Sequence, residues 1–392
     1  MRNSKFVVLV QFIERFIFYS ILSVLALYLL SVYNDDVSKM SDTYSLFHSG
    51  LYLSPLIFGI LSDIFSKRNF AIGGFLVFAI GLFFFALPNL SEDLVPFPLI
   101  LIVFAIAAIK PNLIIFIIES VEREKANRII LTLVLFFGIT SVSSLLANIY
   151  SMIISGLFSY STVFLTLGFF ALIVFGILII RANPKLIRTK YNPRPKENFD
   201  PLVISIIILI SLIIAFGNSF TEIIYSSAQC GVPKTITEAM SLTRLLIFLI
   251  ILIILKYFEI KNLEKFIYYT FILSLVFFTI KFLVVFFLNL EVLSFYIFTA
   301  LNVIQIIPAM FLYPLFYLIF KKSFWSKYKT FGIAILSVTL VFPHIIQPIL
   351  TYGTISEIEY YSLLLGLTLF PMIFIVHRFK NRFSHNAQKK LE

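Results

Sequence analysis

The sequence predicts an all-α membrane protein of about twelve transmembrane helices in two six-helix halves, with both termini in the cytoplasm. Three observations predict this class: the composition, the recurrence of long apolar segments, and the placement of the basic residues. Of the 392 residues, 60% are hydrophobic and only 13% are charged, and the mean hydropathy is +1.01. Because so few polar residues remain to cover so much apolar surface, the surrounding solvent must be lipid.

Apolar segments long enough to cross a bilayer recur about twelve times along the chain. They are predicted to be helices, because a lipid-exposed backbone must satisfy its own hydrogen bonds and no strand-like alternation is present. The predicted spans are 6–33, 43–64, 69–89, 95–119, 129–155, 157–180, 202–227, 236–255, 263–289, 292–320, 330–352 and 358–377. The boundary between the fifth and sixth spans is the weakest, because only Gly156 and its neighbours separate them.

Lysine and arginine fall almost entirely on one side when the connections are sorted alternately from a cytoplasmic amino terminus. The opposite side collects only Lys39 and Lys234. This asymmetry follows the positive-inside rule and supports an even number of spans. The net charge of +11 is therefore interpreted as a topology signal, with no nucleic-acid partner expected.

Domain boundaries follow from the longest polar connection. A basic segment with two Asn-Pro pairs, residues 181–201, is predicted to be a cytoplasmic linker between the halves 1–180 and 202–377. A cytoplasmic tail, 378–392, follows the second half. The first apolar segment is too long and too charged for a cleavable signal peptide. This layout is typical of secondary transporters, in which two halves rock about a central site.

No enzyme, cofactor or metal motif is found in the sequence. It has no P-loop, no metal-spaced His/Cys cluster and no nucleophile elbow. The single cysteine, Cys230, excludes an intrachain disulfide. We therefore expect a non-enzyme without cofactors, driven by an ion gradient and most readily by protons.

Two adjacent charges, Glu14 and Arg15, lie near the middle of the first span. An ionisable residue there costs about 2.5–3.5 kcal/mol by insertion scales, so such residues usually face a protein interior or a wet cavity. Consecutive residues project about 100° apart on a helix, and we expect Glu14 to pair across the bundle rather than with Arg15. The pair either carries the transported proton or forms a static salt bridge that fixes helix packing.

Lys110 lies halfway along the fourth span and directly precedes Pro111, which interrupts the regular helix ladder. A lysine at this depth must lose its proton, pair with a carboxylate or bind the carboxylate of a substrate. The alternative is that its side chain extends to the membrane interface. We expect a role in coupling and substrate binding.

Two further groups of polar residues lie in the first two spans or directly after the second. Asp63, Lys67 and Arg68 are predicted to form an ion-pair cluster at the inner gate. Tyr19 and Tyr52 combine an apolar ring with a polar hydroxyl, which suits the wall of a cavity.

Five other polar residues within the spans leave alternatives open. Glu222 is either an outer-gate residue or an interfacial acid, while Arg244 and Lys281 either line a cavity or form structural pairs. His48 and His344 are either proton sensors or packing residues, and packing is favoured.

Four motifs in the first half resemble those of the proton-dependent oligopeptide transporter family of the major facilitator superfamily. The chain reads Glu-Arg-Phe-Ile-Phe-Tyr at 14–19, which is similar to the family's ExxERFxYYG. The other three are Tyr-Leu-Ser-Pro followed by Gly-Ile-Leu-Ser-Asp at 52–63, Ile-Lys-Pro-Asn at 109–112 and Phe-Phe-Gly-Ile-Thr at 136–140. The resemblance covers roughly residues 6–150.

This resemblance implies a major facilitator fold in a bacterial inner membrane that moves di- or tripeptides, or similar small zwitterions, together with protons. It implies a monomer whose partners are the bilayer, protons and a small-molecule substrate. The residues implied in proton coupling are Glu14, Arg15 and Lys110. Those implied in substrate binding are Gln11, Tyr19, Tyr52, Lys110, Thr140 and Glu222.

The departures from the family pattern keep two alternatives open. Gln11 replaces the first glutamate of the signature, Thr140 replaces an asparagine, and the acid of the tenth span falls on Ala309, with Gln305 as the nearest polar residue. The same scaffold could therefore move another solute, such as an amino acid or a nucleoside-like compound. The second alternative is a non-transporting sensor or scaffold.

The predicted topology is testable with reporter fusions. Fusions placed after Lys67, Arg123, Lys196 and Lys327 should all report a cytoplasmic location, because each follows an even-numbered span or lies in an inner connection. A fusion after Arg123 that reports the outside would overturn the span assignment in the first half.

Overall fold

The computed structural model describes the backbone of residues 4–88, 90–121, 124–181, 200–228, 234–257, 263–287, 310–320 and 328–339, with a few isolated residues. The helices in these ranges are α1 (Ser4–Val32), α2 (Val37–Ile64), α3 (Lys67–Phe85), α4 (Pro96–Val121), α5 (Ala126–Leu157), α6 (Tyr160–Arg181), α7 (Pro201–Ala228), α8 (Lys234–Tyr257), α9 (Leu263–Phe287), α10 (Met310–Phe320) and α11 (Lys329–Thr339). No strand occurs in the ranges given, which confirms the prediction of an α-helical protein for this part of the chain.

By length and composition, seven helices of the described chain are able to cross a membrane. They are Ser4–Val32, Val37–Ile64, Lys67–Phe85, Glu92–Val121, Ala126–Leu157, Tyr160–Ile180 and Lys265–Val284. Several long apolar helices make this a multi-pass membrane protein. The linker 181–201 except for its two ends, Cys230, most of the last predicted span and the tail 378–392 lie outside the described residues.

The ends of the helices follow local capping. The α2 helix begins at Val37, several residues before the predicted start, because the carboxylate of Asp36 accepts hydrogen bonds from the backbone N–H groups of Ser38 and Lys39, each at 3.1 Å. The uncertain boundary near Gly156 is confirmed. There α5 ends at Leu157, and the hydroxyl of Ser159 accepts a hydrogen bond from Thr162 N at 3.2 Å at the start of α6.

The chain divides into two compact units that do not follow the order of the sequence. The first contains Met1–Ser120, Ile139–Glu197 and Ser326–Ile335, and the second contains Val121–Gly138, Asn198–Trp325 and Leu336–Glu392. The α5 helix contributes to both, since its residues up to Gly138 belong to the second unit and those from Ile139 to the first.

An aromatic cluster holds α1, α3 and α6 together in the first unit. Phe85 and Phe164 stack with their ring centroids 5.0 Å apart, and both are fully buried. The ring of Tyr28 on α1 meets them edge-on, at 5.4 and 5.0 Å respectively. Such edge-to-face contacts fix the carboxyl-terminal part of α1 against its neighbours.

Serine hydroxyls set the register between α1 and α5. Ser143 donates to the carbonyl of Phe12 at 3.0 Å, and Ser151 donates to the carbonyl of Ser20 at 3.1 Å. Both contacts have the same sequence separation of 131 residues, so the two helices run parallel in constant register. Ala147, between the two serines, is fully buried and lets the helices approach closely.

The second unit packs its helices around the first part of α5. The ring of Phe248 on α8 lies against Gly138, where a Cβ atom would be 2.2 Å from it. Phe137 stacks on Tyr317 of α10 at 5.3 Å, and the hydroxyl of Tyr317 hydrogen bonds with that of Ser337 on α11.

Adjacent glycines on α3 give a matched test of this packing. A Cβ atom on Gly74 would lie 2.7 Å from a side-chain carbon of Ile109 and 3.1 Å from the carbonyl of Ala105, whereas one on Gly73 meets nothing within 4 Å. Gly74→Ala should therefore lower the thermal unfolding midpoint in detergent, since overpacking costs about 1–3 kcal/mol. Gly73→Ala should leave it equal or raise it, because alanine is the better helix former by about 1 kcal/mol. Equal midpoints for the two variants would contradict this close approach of α3 and α4.

Candidate functional site

The two charges near the middle of α1 pair with each other. Glu14 is fully buried and Arg15 is 6% exposed. Arg15 donates from Nε to Glu14 Oε2 at 2.5 Å and from Nη2 to Glu14 Oε1 at 2.7 Å. The prediction that these residues cannot pair with each other was wrong. The long arginine side chain spans the angle between consecutive positions, and its planar fork matches both carboxylate oxygens.

The guanidinium of Arg15 has further partners on its own helix. It lies 5.0 Å from the ring centroid of Phe18, one turn along α1, in a cation–π contact. The hydroxyl of Tyr19 is a hydrogen-bonding neighbour of the same guanidinium. Gln11, 7% exposed, lies on the same face of α1 as Glu14 and Arg15. The sequence motif of α1 is thus a continuous polar face inside the bundle.

Lys110 on α4 is brought to this pair. Lys110 lies close enough to α1 for Glu14 and Arg15 both to act electrostatically on its ammonium group. It is partly exposed, whereas its neighbour Ile109 is fully buried. None of the ion pairs between described residues includes Lys110. With Glu14 ionised and both basic groups protonated, the three groups carry a single net positive charge.

Beside Lys110, the buried amide of Asn112 links α4 to α2. Asn112 is fully buried, and its Nδ2 donates to Ser62 Oγ at 2.9 Å and to the carbonyl of Ala108 at 2.7 Å. Sequence reasoning cited Asn112 only as part of a motif and did not identify its partner. A single polar residue in an otherwise apolar span often hydrogen bonds to another helix. The position of Asn112 in the fourth span could have indicated such a contact.

Thr140 lies on α5 near the same end of the α1 motif. It is partly exposed, and Ser143, one turn further along α5, donates to the carbonyl of Phe12, next to Gln11. The structure thus brings the regions of Gln11 and Thr140 together, although their side chains are not in direct hydrogen-bond contact in the described structure.

The predicted inner-gate cluster has a different arrangement. The carboxylate of Asp63 accepts hydrogen bonds from the backbone N–H groups of Thr330 at 3.2 Å and Phe331 at 2.9 Å, at the start of α11. Lys67 pairs instead with Glu119 at 3.5 Å. Among the described residues no ion pair joins Asp63 to Lys67 or Arg68, so the predicted ion-pair cluster was wrong. A helix N-terminus presents unpaired N–H groups and a partial positive charge, which makes it an alternative partner for an acid.

An aromatic row follows one face of α2. Tyr44, His48 and Tyr52 are spaced one helical turn apart, with ring centroids 4.6 Å apart for the first pair and 6.0 Å for the second. All three are partly exposed. The position of His48 between two tyrosine rings agrees with the packing role that the sequence favours.

Two other charged candidates lie on α8 and α9. Arg244 is exposed on α8, and Lys281 is 4% exposed on α9. Within the described chain, no group of three His, Cys, Asp or Glu residues has the arrangement of a metal site. Four predicted or discussed residues lie outside the described side chains: Glu222, Gln305, Ala309 and His344.

Two comparisons with known proteins found no relative. No protein family model matches the chain, and no curated protein matches it. The function must therefore be argued from the site and its motifs.

The buried pair gives a charge-balance prediction. Glu14→Gln leaves Arg15 buried without its counter-ion and should lower the free energy of unfolding by about 3–5 kcal/mol. Adding Arg15→Met removes the uncompensated charge and should restore most of the loss, as measured by thermal unfolding in detergent. The matched control is Glu124→Gln, whose partner Arg128 lies 3.0 Å away in an exposed pair, and which should cost less than about 1 kcal/mol. A double variant less stable than Glu14→Gln would show that the charges do not compensate each other.

Proposed function

We propose that this protein is a secondary active transporter of the major facilitator type, which moves a small zwitterionic solute together with protons by alternating access. The preferred substrate is a di- or tripeptide or a solute with a similar charge layout. One observation carries the proposal: the buried Glu14–Arg15 pair has the cation Lys110 beside it, outside any described ion pair.

Charge balance links proton binding to substrate binding at this site. With Glu14 ionised, the group of Glu14, Arg15 and Lys110 carries one net positive charge. Protonation of Glu14 adds a second, because Arg15 then loses its counter-ion. Like charges in a partly buried site repel each other more strongly than they do in water. A substrate carboxylate that enters the site restores the balance, so the proton and the anionic end of the substrate favour each other's binding.

The polarity of the site suits the carboxylate end of a zwitterion more than its amine. Lys110 supplies a positive charge, while Gln11 and Thr140 offer neutral oxygen acceptors. Neutral acceptors hydrogen bond an ammonium group without compensating its charge. This favours a substrate that is held chiefly by its carboxylate.

The contact between Asp63 and the start of α11 supports alternating access. The two N–H groups of Thr330 and Phe331 are held by a carboxylate at the end of α2 predicted to be cytoplasmic. Hydrogen bonds to a helix terminus are directional and reversible, which is what a gate in a rocking transporter requires. The four motifs of the first half, which resemble oligopeptide/proton symporters, point to the same function.

A second candidate is the same scaffold with another solute, such as an amino acid or a nucleoside-like compound. Ala309 favours it, because it stands where the resembling family has an acid in the tenth span. For either substrate class, we propose that the protein is a monomer in a bacterial inner membrane.

Uptake into proteoliposomes tests the proposal. Purified protein should accumulate at least one member of a panel of dipeptides, tripeptides, amino acids and nucleosides when the interior is alkaline, and accumulation should collapse with a protonophore. Binding without accumulation for every solute would favour the sensor alternative.

Replacing Glu14 tests proton coupling. Glu14→Gln, and the charge-balanced Glu14→Gln/Arg15→Met variant, should lose gradient-driven accumulation because a neutral side chain cannot take up and release the proton. Exchange of labelled for unlabelled substrate should persist in the folded Glu14→Gln protein, since exchange needs no net proton movement. Glu124→Gln should behave like the native chain. Full proton-driven uptake by folded Glu14→Gln would assign the pair a purely structural role.

A further inference from the structure

Pro111 lies inside α4, directly after Lys110. Pro111 has no backbone N–H, so the carbonyl of Ala107 loses its helical hydrogen bond, and the proline ring presses on that same carbonyl. In a helix interior this costs about 3 kcal/mol. Nevertheless α4 continues without interruption from Pro96 to Val121. Other contacts must therefore hold this turn, and the position of Lys110 depends on them.

Asn112 makes two side-chain hydrogen bonds at this turn. Its Nδ2 atom donates one hydrogen bond to the carbonyl of Ala108, within the weakened turn, and another to Ser62 Oγ on α2. Both residues are almost inaccessible: Asn112 is fully buried and Ser62 is 1% exposed. One amide group thus braces the turn from inside α4 and fastens it to a second helix.

The orientation of this amide is determined by its surroundings. If the amide were reversed, its oxygen would face the carbonyl oxygen of Ala108 at hydrogen-bond distance, with no hydrogen between them. The Oδ1 atom of Asn112 has no hydrogen-bond partner among the described residues. Both amide hydrogens of Asn112 are therefore engaged in hydrogen bonds. The buried Oδ1 atom is left without a donor, which costs about 1–3 kcal/mol.

We propose that Asn112 and Ser62 are positioning residues. They hold the turn of α4 that contains Lys110 and Pro111, and so keep Lys110 near the Glu14–Arg15 pair. They act through the backbone and touch neither the proton nor the substrate. The significance of Lys110 rests on the proposed transport function, whereas the positioning itself does not.

A cysteine reporter tests the positioning without any transport. The native thiol is removed by Cys230→Ser, Lys110→Cys is introduced, and the rate of maleimide alkylation is measured on the folded, monodisperse protein. Asn112→Ala should change this rate about threefold or more, as expected for residues coupled through a shared backbone turn. Ser62→Ala should change it in the same direction and keeps the test valid if Asn112→Ala does not fold.

The chain offers both a control and a rescue. Ser120 lies on the same helix and donates only to the carbonyl of Ile117 at 2.7 Å, so Ser120→Ala should leave the rate unchanged. Pro111→Ala restores the missing backbone N–H and should return the Asn112→Ala rate toward the reference. The proposal is overturned if Asn112→Ala and Ser62→Ala change the alkylation rate no more than Ser120→Ala does. It is also overturned if Pro111→Ala does not return the Asn112→Ala rate toward the reference.

A transport measurement then separates this proposal from the function on which it builds. With Lys110 present, Asn112→Ala should shift the pH profile of uptake, whereas a loss of folded protein alone lowers uptake equally at every pH. If the native chain transports nothing, the proposed function fails and the alkylation result still decides the positioning. If Asn112→Ala changes the alkylation rate but not the shape of the pH profile, Asn112 positions residue 110 without affecting proton coupling. That result overturns the proposed positioning of Lys110 relative to Glu14 and Arg15.

Discussion

The burial of the Glu14–Arg15 pair is the constraint on which the first unit is built. Moving a carboxylate and a guanidinium out of water costs several kcal/mol for each ion, and their attraction repays this only with good geometry and further hydrogen bonds. The pair obtains that geometry within one helix, through two hydrogen bonds of 2.5 and 2.7 Å. Because the pair is completed on α1 itself, no carboxylate or cation of another helix is needed to neutralise it. Lys110 is therefore not needed as a counter-ion of the pair.

A polar face on α1 also has to be shielded from lipid, and apolar burial cannot achieve this by itself. Between helices in a membrane the hydrophobic effect is weak, since lipid tails are as apolar as leucine, so association depends on close packing and interhelical hydrogen bonds. Ser143, Ala147 and Ser151 provide both along α5, and all three are essentially inaccessible. Their constant register against Phe12 and Ser20 places the motif of α1 at a defined height beside α5.

Hydropathy was sufficient for the helices but not for the contacts between them. The first nine predicted spans coincide with α1 to α9 to within a few residues, since span length is fixed by the bilayer. The early start of α2 was missed because its first turn is polar, and only the side chain of Asp36 explains it. The pairing of Glu14 with Arg15 was missed for another reason: helical phase gives the direction of the Cα–Cβ bond, whereas a long side chain chooses among many rotamers.

The same distinction explains the error at Asp63. A search for opposite charges finds Lys67 and Arg68 nearby in sequence, but the actual partners are backbone N–H groups more than 260 residues away. Backbone donors leave no trace in the side-chain pattern, so a single sequence cannot reveal them. Ser62 and Asp63 are consecutive on α2, and the first holds Asn112 beside Lys110 while the second holds the start of α11. Because one turn of helix is stiff, α2 cannot shift at one of these contacts without moving the other. The geometry of α2 therefore couples the contact that holds Asn112 beside Lys110 to the contact between Asp63 and the start of α11.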